Sequence, residues 1–407
     1  MLSPKLTPRS VAAQPHTGEY LAGVPRPHPA LIDLAARRDP ALNELSRPLI
    51  ESSVEHRVPG ILHTWAAKRG LLTGEQGAGL QALDSNVWAR NRMLVATAAR
   101  VDAAARDLGI RTALIKGVAL EAMAYSRFGE RPSGDLDVVV HHDDRGGVVD
   151  LVAALQPEHR LISDLADLVE GRHIQSIDLV VDGLPMDIHL DPLKLEVAAT
   201  RHPMRLWERT ATVTVEGTRI NTFDHEASLV LALLHLNKDR FSHLVAYADV
   251  VRLWRGVDDW DWVESFAQAE GLVTPLRETA AAVVSDLAIS DLQMPLPAAG
   301  GERVWKMLWP ERIRLSGAVG RVRYRYRQML IPVFSPDRIP EVARSWIRRM
   351  FPPRQVLAIY YPNARGPYAW RIISSRVARR VERRQRRLEA TRRDQSRSGV
   401  DSSDFRT

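Results

Sequence analysis

Apolar residues recur at three- and four-residue steps from Pro29 to Leu108, in "ALIDLAARR", "VPGILHTWAAKRGL" and "ALDSNVWARNRMLVATAARVDAAARDL". That period is helical, and Gly109 follows the last segment as a helix-terminating residue. At Ile110 the period changes. "RTALI" is short and β-compatible, Lys116-Gly117 turns into the helix-like "VALEAMAY", the loop "SRFGERPSG" follows, and "DLDVVV" reads as a second strand. A further helix-like run, "RGGVVDLVAAL", precedes "HIQSIDLVV", the turn Asp182-Gly183 and "LPMDIHLD". Asp-Gly between two alternating runs predicts a β-hairpin, and Glu216-Gly217 predicts another.

Beyond a crossing segment, "LKLEVAATRHPMRLWERT", four amphipathic runs follow: "DHEASLVLALLHLNKD", "LVAYADVVRLW", "DWDWVESFAQAEG" and "PLRETAAAVVSDLA". Asp224 and Asp258 or Asp259 are placed to cap them. The predicted fold is α+β, a small mixed α/β sheet flanked by N-terminal and C-terminal helical regions. The predicted divisions are a Pro-rich disordered tail (1–28), a helical lead-in (29–109), the sheet-bearing core (110–222) and a helical domain (223–295). Helices and aromatic-rich loops (296–365) and a basic tail (366–407) complete the chain, which contains no internal repeat.

Composition narrows the classes of function. The chain has 407 residues, 45 % of them hydrophobic, enough for sizeable cores. No apolar run reaches the roughly 18 residues of a membrane helix, because Asn237, Lys238 and Asp239 interrupt the best candidate. The N-terminal segment lacks the apolar stretch of a secretory signal, and cysteine is absent, which excludes disulfides and thiolate chemistry. The expected compartment is the cytoplasm. A net charge of +7 suggests an anionic partner. Much of it lies in "RIISSRVARRVERRQRRLEATRRDQSR", so that nucleic acid or an anionic surface would meet the tail rather than the body. That tail lacks interleaved aromatics and also fits a simply solvated helix.

The chemistry is carried by carboxylates. In a strand, residues i and i+2 share a face, so Asp135 and Asp137 aim together while Leu136 and Val138 face the core. Neighbouring carboxylates raise one another's pKa unless a cation lies between them. Mg2+ favours one or two carboxylates plus substrate phosphates. If "LPMDIHLD" pairs with "DLDVVV", Asp187 comes to the same face, and three carboxylates can hold metal ions that activate an attacking oxygen. The pattern alone is weak, since 49 acidic residues in this chain yield about six such pairs by chance. Solvated strand-end charges are the plain alternative. Context separates the two: strand, glycine turn, helix, then acidic strand, with a third carboxylate on a later strand.

Other polar clusters carry less. His189 beside Asp187 reads as an orienting group rather than a ligand, with a satisfied core histidine as the alternative. His235, Asp239 and His243 recur at four-residue steps, but "RFSH" ends that helix before a metal box is complete. Lys238 and Asp249 read as structural, and Arg172 and His173 as surface residues. "HHDD" at 141–144 hints at a metal phosphohydrolase, yet its histidines directly end a strand instead of sitting on packed helices. "GEQGAG" at 74–79 lacks both a preceding strand and the Gly-Lys-Ser/Thr ending of a phosphate loop, and is read as an interhelical loop.

The motif order resembles the nucleotidyltransferase superfamily that shares the DNA polymerase β palm, and more closely its NTP_transf_5-type branch. The residues that carry the resemblance are "LIKG", Tyr125, "RPSGDLD" and "MDIH", supported by "EHRVPGILHTWAAKRGL", "ALLHLNKD", "YADVVRLW" and "DWDWV". Together they span roughly residues 30–290. The resemblance implies a palm-like sheet, Mg2+ or Mn2+ at Asp135, Asp137 and Asp187, and a nucleoside triphosphate substrate. It implies transfer of a nucleoside monophosphate to an acceptor hydroxyl or phosphate, the acceptor being a small molecule, peptide, protein or RNA. Gly117 would let the backbone approach the triphosphate, with Ser133 on the same nucleotide-binding surface. The superfamily's usual Gly-Ser is Lys116-Gly117 here, so Lys116 or Arg131 would supply phosphate-binding charge. Alternatively, Lys116 caps a turn and Arg131 pairs with Asp135. Two rival functions remain: a catalytically degenerate binding protein of this fold, and a nucleic-acid-binding protein acting through its tail.

Overall fold

Alternation of side chains decides how the sheet sits. In the computed structural model, β1 (Thr112–Ile115), β2 (Leu136–Val140), β3 (Ser176–Val181), β4 (Leu184–His189), β5 (Thr210–Val215) and β6 (Thr218–Phe223) form one six-stranded sheet in the order β3-β4-β2-β1-β6-β5. Ala113, Ile115 and Val139 point into one core, whereas Leu114, Leu136, Val138 and Val140 point into another. Both faces of β1 and β2 are therefore covered, which explains why every residue of β2 is buried. The described residues are 26–158, 165, 169, 176–193, 203–239 and 241–297. The Pro-rich tail, Arg172, His173, the basic tail and nearly all of the 296–365 region lie outside them.

Two tight turns set the hairpins. Asp182 and Gly183 have φ of 54° and 72°, and Glu216 and Gly217 have 49° and 79°. Two successive left-handed residues match the twist of paired strands, as the sequence predicts. The β2–β1 and β3–β4 pairings are antiparallel, while β2–β4 and β1–β6 are parallel.

The first core lies under α1 (Pro29–Ala35), α2 (Arg47–Glu55) and α3 (Pro59–Lys68), together with the later helices. The second core is closed by the C-terminal half of α4 (Gly74–Asp107) and by α6 (Val148–Leu155). Between β1 and β2 lies α5 (Gly117–Ala124), and the short α7 (Pro203–Trp207) precedes β5. The helices after the sheet are α8 (His225–Lys238), α9 (Leu244–Trp254), α10 (Trp260–Glu270) and α11 (Val273–Asp286). Asp224 caps α8 by accepting from the Ala227 N–H, and Asp259 caps α10 by accepting from Trp262 N–H. Each cap satisfies one of the orphan N–H groups of a helix start.

One loop reading is corrected. "GEQGAG" is not an interhelical loop but the first turns of α4, which begins at Gly74. Gly77 is a buried position of that helix where a Cβ would collide with the Leu72 backbone, so the close approach requires glycine. Glycine-rich composition lowers helix propensity, and close packing overrides it here.

Candidate active site

The site is built by the parallel pairing of β2 with β4. Asp137 stands opposite Asp187 and Val139 opposite His189, so Asp137, Asp187 and His189 share one face of the sheet. Val139 belongs to the first core, to which α8 and α9 also contribute. Asp137 is buried, and its Oδ1 lies 2.7 Å from His189 Nε2 and 3.3 Å from Lys116 Nζ. His189 is itself buried and stands 3.9 Å from Asp187 Oδ2, while Asp187 is half-buried.

Lys116 reaches this face through an unusual backbone. Extended alternation after Ile115 would send its side chain to the opposite face. Instead its φ is 59° and its ψ −155°, a region that costs of order 1–3 kcal/mol for a residue with a Cβ. The turn delivers the ammonium to Asp137 and starts α5 at Gly117, whose φ is 43°. A Cβ on Gly117 would come 3.3 Å from Ser133 Oγ and 3.6 Å from the Asp135 carbonyl oxygen. The turn after β1 and the loop before β2 are thus in close contact through a glycine.

Charge separates the two aspartates of the motif. Burial would raise the Asp137 pKa, but Lys116, His189 and His235 outweigh it and hold this carboxyl well below the usual range. Asp135 is raised, by burial first and then by Asp137 and Asp187, against the opposing pull of Lys116 and His235. Lys116 is raised because Asp137, Asp239 and Asp135 outweigh the effect of burial. Asp135 and Asp239 are both open to solvent and both penalised by surrounding protein.

Arg131 is held by a different carboxylate. Its Nε and Nη2 each donate to Asp249 at 2.8 Å, and its Nη1 reaches the Pro132 carbonyl and Ser133 Oγ. Asp249 also accepts from the Tyr125 hydroxyl at 2.6 Å. Sequence reasoning considered Asp135 as the partner; the structure gives the buried fork to Asp249 on α9. Asn91 of α4 holds the same loop, accepting from the Ser133 N–H and donating to Glu121 and to the Arg131 carbonyl. Ser133 is buried within this bracing.

The remaining candidates separate clearly. His235 Nε2 lies 3.0 Å from Asp239 Oδ2 at the end of α8, while His243 begins α9 with its Nδ1 2.7 Å from Ser242 Oγ. Lys238 is exposed beside them. His141, His142 and Asp143 come together at the far end of β2 on a 3-10 turn, where Arg111 pairs with Asp143 and Asp144. The four-residue spacing of His235 and Asp239 in the sequence signals the pair that they form on α8. The Arg131–Asp249 brace had no local signal, because 118 residues separate its partners.

One ligand atom each from Asp137, Asp187 and His189 lies within 4.8 Å of the others. Two carboxylates with a single imidazole are donors that suit Mg2+ or Mn2+ better than a thiophilic metal. Asp135 stands just outside that grouping, near enough for Asp137 and Asp187 to raise its pKa. No helix among the described residues is long and apolar enough to cross a membrane. No curated protein matches the chain. Residues 47–284 match the model of a family described as uncharacterised nucleotidyltransferase, NTP_transf_5, and the chain, with its in-register aspartates on a mixed sheet, belongs to that family.

Proposed function

We propose that the chain catalyses a cytoplasmic, Mg2+- or Mn2+-dependent transfer of a nucleoside monophosphate from a nucleoside triphosphate to an acceptor hydroxyl or phosphate, releasing pyrophosphate. The observation that carries this reading is the register that sets Asp137 beside Asp187 on parallel strands, with Asp135 heading the same strand. Asp135, Asp137 and Asp187 would hold the divalent cation. When bound, such an ion neutralises phosphate charge and acidifies the attacking oxygen. Lys116 already presents its ammonium to Asp137 and would shift that charge onto phosphate oxygens as nucleotide enters. Gly117, packed against Ser133 and the Asp135 carbonyl, would bring the backbone of the turn to the triphosphate. Asp187 would orient the acceptor oxygen for in-line attack, forming the new O–P bond as the bond to pyrophosphate breaks. Arg131 serves by fixing the loop that carries Ser133 and Asp135, through Asp249.

The test incubates the full chain with Mg2+, cell extract and each α-labelled nucleoside triphosphate, and follows label transfer and pyrophosphate release. Asp137→Ala should lower turnover by about 100-fold or more. Unchanged turnover in that variant would end the assignment.

A further inference from the structure

The motif "HHDD" has no place in the nucleotide site, yet its first three side chains converge. His141 follows the last residue of β2, four residues past Asp137, or about 13 Å along the strand. There the chain folds into the 3-10 turn His142–Gly147. His141 is buried, and its ring centroid lies 4.8 Å from that of Trp207. Its Nδ1 accepts the Asp143 N–H at 3.3 Å, so Nδ1 carries a lone pair toward the turn rather than a proton. That bond is longer than the usual range of about 2.7–3.2 Å, and is weak. The same Nδ1 stands 3.6 Å from Asp143 Oδ2. His142 Nδ1 is shielded from water and makes no hydrogen bond, although Asp143 Oδ1 is only 3.0 Å away. Arg111 is the competing cation, with Nη2 3.6 Å from Asp143. It is committed elsewhere: its Nε, Nη2 and backbone N–H all donate to Asp144, each at 2.8 Å. Two carboxylates against one guanidinium leave the turn with a negative charge in excess.

Spacing decides between an ion pair and a ligand set. The His142 nitrogen and the Asp143 oxygen are at hydrogen-bond distance without being aligned for one. Two atoms that each lie about 2.0–2.1 Å from one ion, at tetrahedral angles, stand about 3.3 Å apart. The 3.0 and 3.6 Å separations bracket that value. We propose that His141 Nδ1, His142 Nδ1 and the Asp143 carboxylate hold a divalent transition-metal ion of the zinc class, at a site separate from the nucleotide site. Two imidazoles with one carboxylate suit Zn2+ or Co2+ better than Mg2+, which prefers oxygen ligands alone. A fourth position is left to water or another ligand. Because the ligands come from successive residues, the ion would lock the turn that joins β2 to α6, the helix whose Val148, Leu151, Val152 and Leu155 enter the second core. This inference stands apart from the nucleotidyl-transfer reading and does not depend on it.

The experiment titrates the full chain with Co2+ and then Zn2+ in excess Mg2+, so that the carboxylate site is offered its own cation. One equivalent of Co2+ should bind and develop visible absorption, and Zn2+ should displace it. His142 and Asp143 side chains are 38 % and 52 % exposed, so His142→Ala and Asp143→Asn should keep the wild-type circular dichroism. Each should lose Zn2+ affinity by at least about 10-fold, the least that removing even a supporting group of a metal site costs. His142→Cys gives a sharper readout. The chain has no cysteine, and Sγ reaches about as far from the backbone as Nδ1, so a thiolate-to-Co2+ charge-transfer band arises only if this position binds the ion. Asp187→Asn should leave Zn2+ affinity unchanged. The proposal is overturned if the wild-type chain takes up neither ion in excess Mg2+, or if His142→Ala and Asp143→Asn bind Zn2+ as tightly as wild type. It is overturned equally if His142→Cys shows no thiolate band, or if Asp187→Asn abolishes the binding.

Discussion

Lys116 shows how a single residue couples backbone strain to chemistry. Its φ of 59° with ψ of −155° is glycine territory, yet the position carries the ammonium that Asp137 holds at 3.3 Å. Glycine here would be the comfortable residue and would be chemically empty. Lys116→Gly and Lys116→Ala should both lose turnover, but the glycine variant should be the more stable by about 1 kcal/mol in urea melts. Glycine usually ranks below alanine because it loses more entropy on folding, so equal or reversed stabilities would show that the turn is not strained. The sequence makes Lys116-Gly117 legible as a turn. It does not reveal that the lysine adopts a positive φ as well as the glycine, because glycine is the expected occupant of such a position.

Helix α9 illustrates how an element takes up charge at two points. His243 stands at its N-terminus, where the positive end of the helix dipole opposes protonation. Burial first, then Arg57 and His56, lower its pKa from 6.5 to about 4. In the unfolded chain His243 gains its proton as pH falls through 6.5, whereas the folded chain resists until about 4. Stability is therefore complete above that window and lost as pH falls through it, by roughly 1–2 kcal/mol after allowance for partial exposure. His243→Asn keeps a good cap residue and should flatten thermal melts recorded between pH 7 and 4.5. Further along α9, Asp249 neutralises the buried Arg131. Asp249→Asn should cost about 3 kcal/mol in denaturant melts, because it strands a buried guanidinium, and replacing both partners with apolar residues should recover part of that. Periodicity, the caps Asp224 and Asp259 and both hairpin turns are local signals, and they were readable. The partnership of α9 with the loop before β2 is not, because it exists only once the chain has folded back.

At the level of the whole molecule, the sheet separates two hydrophobic cores, and the carboxylates occupy the face toward the helices of the first. The mixed α+β class follows from the change of period at Ile110. The decisive strand neighbours do not, because a parallel β2–β4 pair has no turn to announce it. One element ties the two cores together. Helix α4 spans 34 residues, about 51 Å, with Leu80 in the first core and Leu94, Val95, Ala98, Val101 and Ala105 in the second. Neither core can lose its packing without loosening a rod that the other also grips. In native-state hydrogen exchange, the slowest amides of β2 and of α8 should then share one opening free energy. Ala89→Pro, placed between the two grips, should separate those values as well as destabilise by about 3 kcal/mol. If the wild-type values already differ, α4 is merely long. If they coincide, the helix makes the carboxylate-bearing sheet and the helices of the first core a single cooperative unit, so that the carboxylates can be uncovered only by motion within the folded state and not by melting one side.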